Sequence, residues 1–356
     1  MQPTETITDQ PCSRPAASSA PVSTRSVTAV ALATGLVAGG LILATAGCQP
    51  TNSGASGLKR PRGVEGYIAG VESYQKGDKD AAVKSLLEAT EQNPNLINAR
   101  VLLGDLYRNE GEYRAALEQY EAVVKLDPYE AANFTRLGIA YQFLDRLREA
   151  ETAYLRSLEL KSNSEAAMNL GLVYLALSKL DEAKKYTLLA TELDPTSAVA
   201  HANYGVVLDA SGDHAGAERA LLKALEIAPA NPGAMMNLAT ALLAQKRASD
   251  AAAILENLVE VNDTAPVRKR LGDAYALSER LNQALTQYDA AIAKDPRFTS
   301  AYNDAGRVLI LQYRQGLELD EKLRDAAIAR WKKSLEINPN QTKVKDLIAE
   351  WEKKGV

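Results

Sequence analysis

The chain has 356 residues, of which 46% are apolar and 24% charged, and a formal net charge of -4. That length suits two ordinary domains or one elongated array, and the composition is that of a chain that folds. There is no block of basic residues, which argues against nucleic acid as a main partner, and two Cys and two His exclude a disulfide framework and a His/Cys metal cluster.

Residues 1–26 are rich in Pro, Ser and Thr and carry only Glu5, Asp9, Arg14 and Arg25 as charges. Such a segment has too little apolar surface to order itself. From Val27 to Gly47 there is no charge, and the run closes on Ala46-Gly47-Cys48. A basic residue, an apolar stretch and then small residues is the layout of a secretory signal. The ending Leu43-Ala44-Thr45-Ala46-Gly47-Cys48 resembles a bacterial lipobox, with Thr45 departing from the large aliphatic residue usual at its place. The resemblance implies that residues 1–47 are a leader and that Cys48 is acylated and begins the mature protein. The alternative is an uncut membrane anchor, since about 20 residues at ~1.5 Å rise just span a bilayer. Either reading puts residues 63–356 outside the cytoplasm. Two basic and two acidic residues leave with the leader, so the net charge stays at -4. Residues 48–62 read as a flexible tether, which as a Gly-rich coil spans roughly 20 Å.

From residue 63 on the chain repeats. Pro94, Pro128, Pro195, Pro229, Pro296 and Pro339 each close a helical stretch, and most stand 34 residues apart or about twice that. Gly70, Gly104, Gly171, Gly205 and Gly272 precede their prolines by 24 residues, and Ala82, Ala116, Ala183, Ala217 and Ala284 follow those glycines by 12. Gly138 with Ala150, and Ala239 with Ala251, fill the two gaps, where Ser162 and Asp263 stand for Pro. Repeats then start at 63, 97, 131, 164, 198, 232, 265 and 299. Each holds two amphipathic helices around a polar turn such as Lys76-Gly77-Asp78, Glu110-Gly111-Glu112 or Ser211-Gly212-Asp213. Gly and Ala mark close helix approach, and Pro cannot continue a helix.

The pattern Leu103-Gly104-x-x-Tyr107 with Ala116, Tyr120 and Pro128, and again Leu271-Gly272-x-x-Tyr275 with Ala284, Tyr288 and Pro296, resembles the tetratricopeptide repeat family. The resemblance implies an all-α fold: a right-handed superhelical solenoid of about eight helix-turn-helix repeats over 63–339. One repeat cannot cover its own apolar face, and stacking does so. The last repeat has nine extra residues around Arg314–Lys322, which lengthen its first helix or add a loop. Residues 340–356 then form a capping helix, with Val344, Leu347, Ile348 and Trp351 as its apolar face.

The residues offer no catalysis and no cofactor site. His201 and His214 are thirteen apart and read as solvated or capping. Glycines between Leu36 and Gly40 lie in the leader and are not a phosphate loop. Function is expected on the array's surface, and the resemblance implies a concave groove lined by the first helices. In each repeat, positions 2, 5, 9 and 12 share one stripe. In the middle repeats it is apolar, with Met168, Leu172, Leu175, Val199, Val206, Met236 and Leu243. Beside it stand Asn169, Asn203 and Asn237, 34 residues apart. This ladder resembles that of family members gripping an extended peptide by its backbone, since a carboxamide both donates and accepts. It also reads as a family habit with no ligand, and the methionines as ordinary packing. Toward the ends the stripe is charged, with Asp105, Arg108 and Arg136, then Lys269, Arg270, Asp273 and Arg307, read as solvated.

These readings add up to a non-enzymatic, envelope-tethered lipoprotein scaffold that binds a protein or extended peptide. Gln49 after Cys48 implies the outer membrane, facing the periplasm, because an Asp there retains such lipoproteins at the inner one. The alternatives are a substrate-recruiting adaptor of a separate enzyme, such as a glycosyltransferase, and a scaffold built by self-association as a homo-oligomer.

Overall fold

The computed structural model describes residues 61–317 and 319–353. The leader and tether expected from the sequence, with Cys48, lie outside those residues up to Arg60. Among the described residues there are seventeen helices and no strand. They run as eight pairs: α1 (Val64–Gln75) with α2 (Lys79–Gln92), α3 (Ile97–Asn109) with α4 (Tyr113–Leu126), α5 (Ala131–Phe143) with α6 (Leu147–Leu160), and α7 (Ser164–Ala176) with α8 (Leu180–Leu193). Then come α9 (Ala198–Ala210) with α10 (His214–Ile227), α11 (Pro232–Ala244) with α12 (Ala248–Val261), α13 (Ala265–Leu277) with α14 (Leu281–Lys294), and α15 (Thr299–Gln315) with α16 (Glu321–Ile337). A single helix, α17 (Thr342–Lys353), follows. The all-α repeat array expected from the sequence is the observed fold.

Local chemistry sets each boundary. Second helices end on Asn93, Asp127, Asp194, Asp295 or Asn338, each with extended backbone and each followed by Pro, whose ring disfavours the helical conformation in the residue before it. The same side chains accept from the amide two residues on, as Asp127 does from Tyr129 at 3.2 Å, which folds the turn into the next pair. Between the helices of a pair one residue is left-handed. Gly77, Gly111 and Gly212 take it at φ of 80–83°, and Asp145, Ser178, Lys246, Glu279 and Leu317 take it without being glycine. Asp78, Asn163, Ser197, Asp213 and Asn231 then cap the following helices through their side chains.

Glycine and alanine hold the pairs together. The alanines at 82, 116, 150, 183, 217, 251 and 284 are wholly buried. A Cβ added to Gly104 would stand 2.6 Å from Cε1 of Tyr120, so the ring fills the space that a side chain there would need. Tyr154 on Gly138 and Tyr288 on Gly272 repeat the contact.

The nine extra residues of the last pair are shared by both helices and the turn between them. Both α15 and α16 have 17 residues, against 13 and 14 in the preceding pair, and the turn between them takes the remainder. Antiparallel partners must grow together, or the longer one leaves apolar surface uncovered. Here Leu309, Ile310 and Tyr313 of α15 meet Ile328 and Trp331 of α16 in one cluster. Val344, Ile348 and Trp351 of α17 close that cluster, with Leu347 against it, and Arg314 lies 4.9 Å above the Trp351 ring. Among the described residues no helix is long and apolar enough to cross a membrane.

Candidate peptide-binding groove

The inner face of the array follows from which helices touch. First helices of successive pairs meet most closely at α5 with α7, α7 with α9, α9 with α11 and α13 with α15. Second helices make no comparable contact with one another. The stack is therefore tighter on the side of the first helices, and that side is concave. Within a first helix, the glycine against its own second helix marks the outward direction. Two residues earlier the helix has turned by about 200°. Asn169 precedes Gly171 by two, and Asn203 precedes Gly205 by two, so both point inward.

Asn169 and Asn203 are buried and Asn237 is half-buried. None of the three side chains hydrogen-bonds to another described residue. Among the described residues the only fully buried side-chain oxygen or nitrogen lacking a partner is Asn303 Oδ1. The ladder amides have no partner either, and Asn169 and Asn203 keep only 5% and 8% of their surface. Leu172 is buried, while Met168, Val206 and Met236 are half-buried beside the ladder. Met168 packs on the Ala167, Ala190 and Ala200 cluster, and Met236 and Leu243 pack on the main core, so part of each side chain supports the floor of the groove.

The charged ends differ from the solvated face read in the sequence. Asp105 accepts from the Tyr120 hydroxyl at 2.6 Å and lies 3.6 Å from both Arg108 and Arg136. At the other end Lys269 Nζ sits 2.9 Å from Asp273 and 2.9 Å from Asp304, and Tyr288 donates to Asp273 at 3.0 Å. Arg270 and Arg307 flank the pair, and Asp273, Lys269 and Asp304 keep only 17–22% of their side-chain surface. These are clasps between neighbouring first helices rather than loose surface charges. Burial, then the Asp105 carboxylate, pushes the Tyr120 phenol far up, and burial, then Asp273, does the same to Tyr288. The signal was present in the sequence as a shared spacing: Asp105 to Tyr120 and Asp273 to Tyr288 are both 15 residues. Asp304, which completes the second clasp, carries no such mark.

The histidines have separate partners. His201 Nε2 lies 3.1 Å from the Pro195 carbonyl in the first turn of α9. His214 is the first residue of α10, not part of the turn, and its Nδ1 lies 2.7 Å from Asp209. Among the described residues no three His, Cys, Asp or Glu side chains are grouped to hold a metal.

Comparison with known proteins adds the family and its fold. Profiles described as tetratricopeptide repeat match residues 69–131, 135–198 and 208–268, together more than half of the chain. The chain is 36% identical over 98 residues to the human Protein O-mannosyl-transferase TMTC2, covering 26% of this chain and 12% of that protein. It is 29% identical over 157 residues to the Type IV pilus assembly protein PilF of Pseudomonas aeruginosa, covering 41% of this chain and 61% of that protein. In both cases it spans less than two thirds of the relative. The crystal structure of the APC/C hetero-tetramer Cut9-Hcn1 superposes with a TM-score of 0.56 at 16% identity, over 78% of this chain and 54% of that one. At that identity the likeness is one of fold.

Proposed function

We propose, from the premise that the chain belongs to the tetratricopeptide repeat family, that it is a non-enzymatic scaffold that binds an extended segment of another protein along its inner face. The observation that carries this reading is the row of unpartnered amides, Asn169, Asn203 and Asn237, at one position of three successive first helices. Each can donate to and accept from a peptide unit of any sequence. The stripe beside them is mostly apolar, with Glu165 and the His214-bound Asp209 as its charges and the charged clasps at either end.

The tether belongs to the same proposal. A leader ending at Gly47 and a lipid on Cys48 would hold the array at a bacterial envelope, in the outer membrane facing the periplasm. The resemblance to PilF, a pilus assembly protein, supports an assembly role there. The match to TMTC2 covers about three repeats and favours a shared recognition module over shared chemistry. It leaves room for the second reading, an adaptor that recruits substrate to a separate transferase.

Photo-cross-linking from position 206, in cells, tests the groove. Adducts from Val206 that are absent from Leu222, on the second helix α10, support it. Equal capture from both positions would count against it.

A further inference from the structure

The outer side of the array carries a feature that the groove does not explain. In three pairs the notch between successive repeats is closed by a tyrosine with a cation on its ring. Arg146 lies 4.5 Å above Tyr141, Lys179 lies 5.1 Å above Tyr174, and Arg280 lies 4.5 Å above Tyr275. In each the cation follows the tyrosine by five residues and is the N-cap of the second helix. A carboxylate of the preceding repeat completes the plug. Glu121 accepts from Tyr141 at 2.9 Å, Glu256 accepts from Tyr275 at 2.7 Å, and Glu151 lies 3.2 Å from Lys179.

The notch between the first two repeats is built from the same parts but lacks its cation. Tyr107 occupies the tyrosine position, and the N-cap residue five places on is Glu112. Among the described residues no cation lies over the Tyr107 ring and its hydroxyl has no partner. A cavity of about 620 Å³ remains there, within the range of roughly 300–1,000 Å³ typical of ligand sites. Its floor is apolar, formed by Val83, Leu87 and Leu106 beside the ring. Around it stand Asp80, Glu88, Glu91 and Glu112, none of them ion-paired among the described residues. Glu110 is paired with Lys79, and Lys84 is the one other basic side chain on the lining. Acidic charge thus exceeds basic, and burial followed by Glu112 raises the Tyr107 phenol above its ordinary value.

We propose that this notch is a docking site for a basic side chain, an arginine on a segment of a partner protein. Its stem would lie on Val83, Leu87 and Leu106, and its guanidinium would stack on Tyr107 and pair with Glu112. The three sister notches supply the template, because each holds a cation from within the chain, arginine in two and lysine in one. The site lies on α2, α3 and the start of α4, away from the inner face, so it is independent of the groove.

The test uses the full chain with labelled Val and Leu methyl groups and the capped peptide acetyl-Gly-Arg-Gly-amide as probe. The expected result is saturable shifts at Val83, Leu87 and Leu106 that vanish when citrulline replaces arginine. Glu112→Arg should plug the notch from within: the melting temperature rises and the shifts fall at least tenfold at equal peptide. Glu112→Gln, which adds no cation, should weaken binding without raising the melting temperature. Absence of the shifts, equal shifts with the citrulline peptide, or full binding by folded Glu112→Arg would each overturn the proposal.

Discussion

Trp331 lies on the backbone of Gly306 as Tyr120 lies on Gly104, although twenty-five residues separate the first pair and sixteen the second. The nine added residues sit between the contacting residues and do not displace the contact. Trp331 is 1% exposed and donates its indole N–H to the Asn303 carbonyl at 3.1 Å, a bond that the tyrosines of the other pairs do not make. Removing the ring should cost about 3–5 kcal/mol in the last pair. Because neighbours couple only to neighbours in such arrays, the loss should stay local. Trp331→Ala is expected to speed amide hydrogen exchange in α15, α16 and α17 by more than a hundredfold, with α5 to α8 unchanged. Uniform acceleration would show that the last pair folds as one unit with the rest.

The inner-face amides make no intramolecular hydrogen bond, so their removal should leave stability alone. Asn169→Ala, Asn203→Ala and Asn237→Ala together should shift the melting temperature by no more than about 2 °C. If each contributes about 1 kcal/mol to a bound peptide, partner affinity falls by roughly a hundredfold. Calorimetric melting and titration with the cross-linked partner measure the two effects separately. Unchanged affinity in the folded triple variant would remove the ladder from the function.

Asp263 stands where most of the repeats have proline, and it ties its turn with charge instead. Its carboxylate accepts from Arg268 at 2.8 and 3.1 Å and lies 2.9 Å from Lys294. The Arg268 hydrogen bonds first, and Lys294 second, hold its carboxyl well below the ordinary 3.8. A depressed folded value means that the unfolded chain takes up the proton first as pH falls. The contribution is therefore complete above about pH 5 and erodes as pH drops through and below the ordinary value. Asp263→Asn should be less stable than the parent at pH 7, and the difference should shrink toward pH 2. A difference constant with pH would disprove the linkage.

The tether has a direct readout. Intact mass of membrane-extracted protein should match residues 48–356 plus acyl groups, and Cys48→Ser should lose both the acyl mass and the processing. A mass equal to the uncut chain would replace the lipid with a spanning anchor or no anchor.

The helix pairs were legible in the sequence because each rests on a residue with little freedom to mean anything else. Gly104 must accept a ring, Ala116 must be small, and Pro128 must end a helix. The division of the insertion between α15 and α16 was not legible. It depends on Leu309 and Ile310 finding cover on the opposite helix, a long-range condition that no local pattern records. The clasps escaped because a charge on a helix face reads as solvated unless its partner on the next repeat is known, and Asp304 finds Lys269 only once α13 and α15 are side by side. The Tyr107 notch escaped for the opposite reason: it is defined by a cation that is not there.

The ties between successive first helices change character along the array. Arg136–Asp105 joins α5 to α3 and Lys269–Asp304 joins α13 to α15, whereas among the described residues no ion pair joins α7, α9 and α11. Apolar contact is insensitive to charge screening, while these partly buried charge pairs, with 20–30% of their side-chain surface left, feel a damped part of the screening as the Debye length shrinks from about 10 Å at 0.1 M to about 3 Å at 1 M. Added salt should therefore loosen the α3–α5 and α13–α15 ties more than the contacts between α7, α9 and α11.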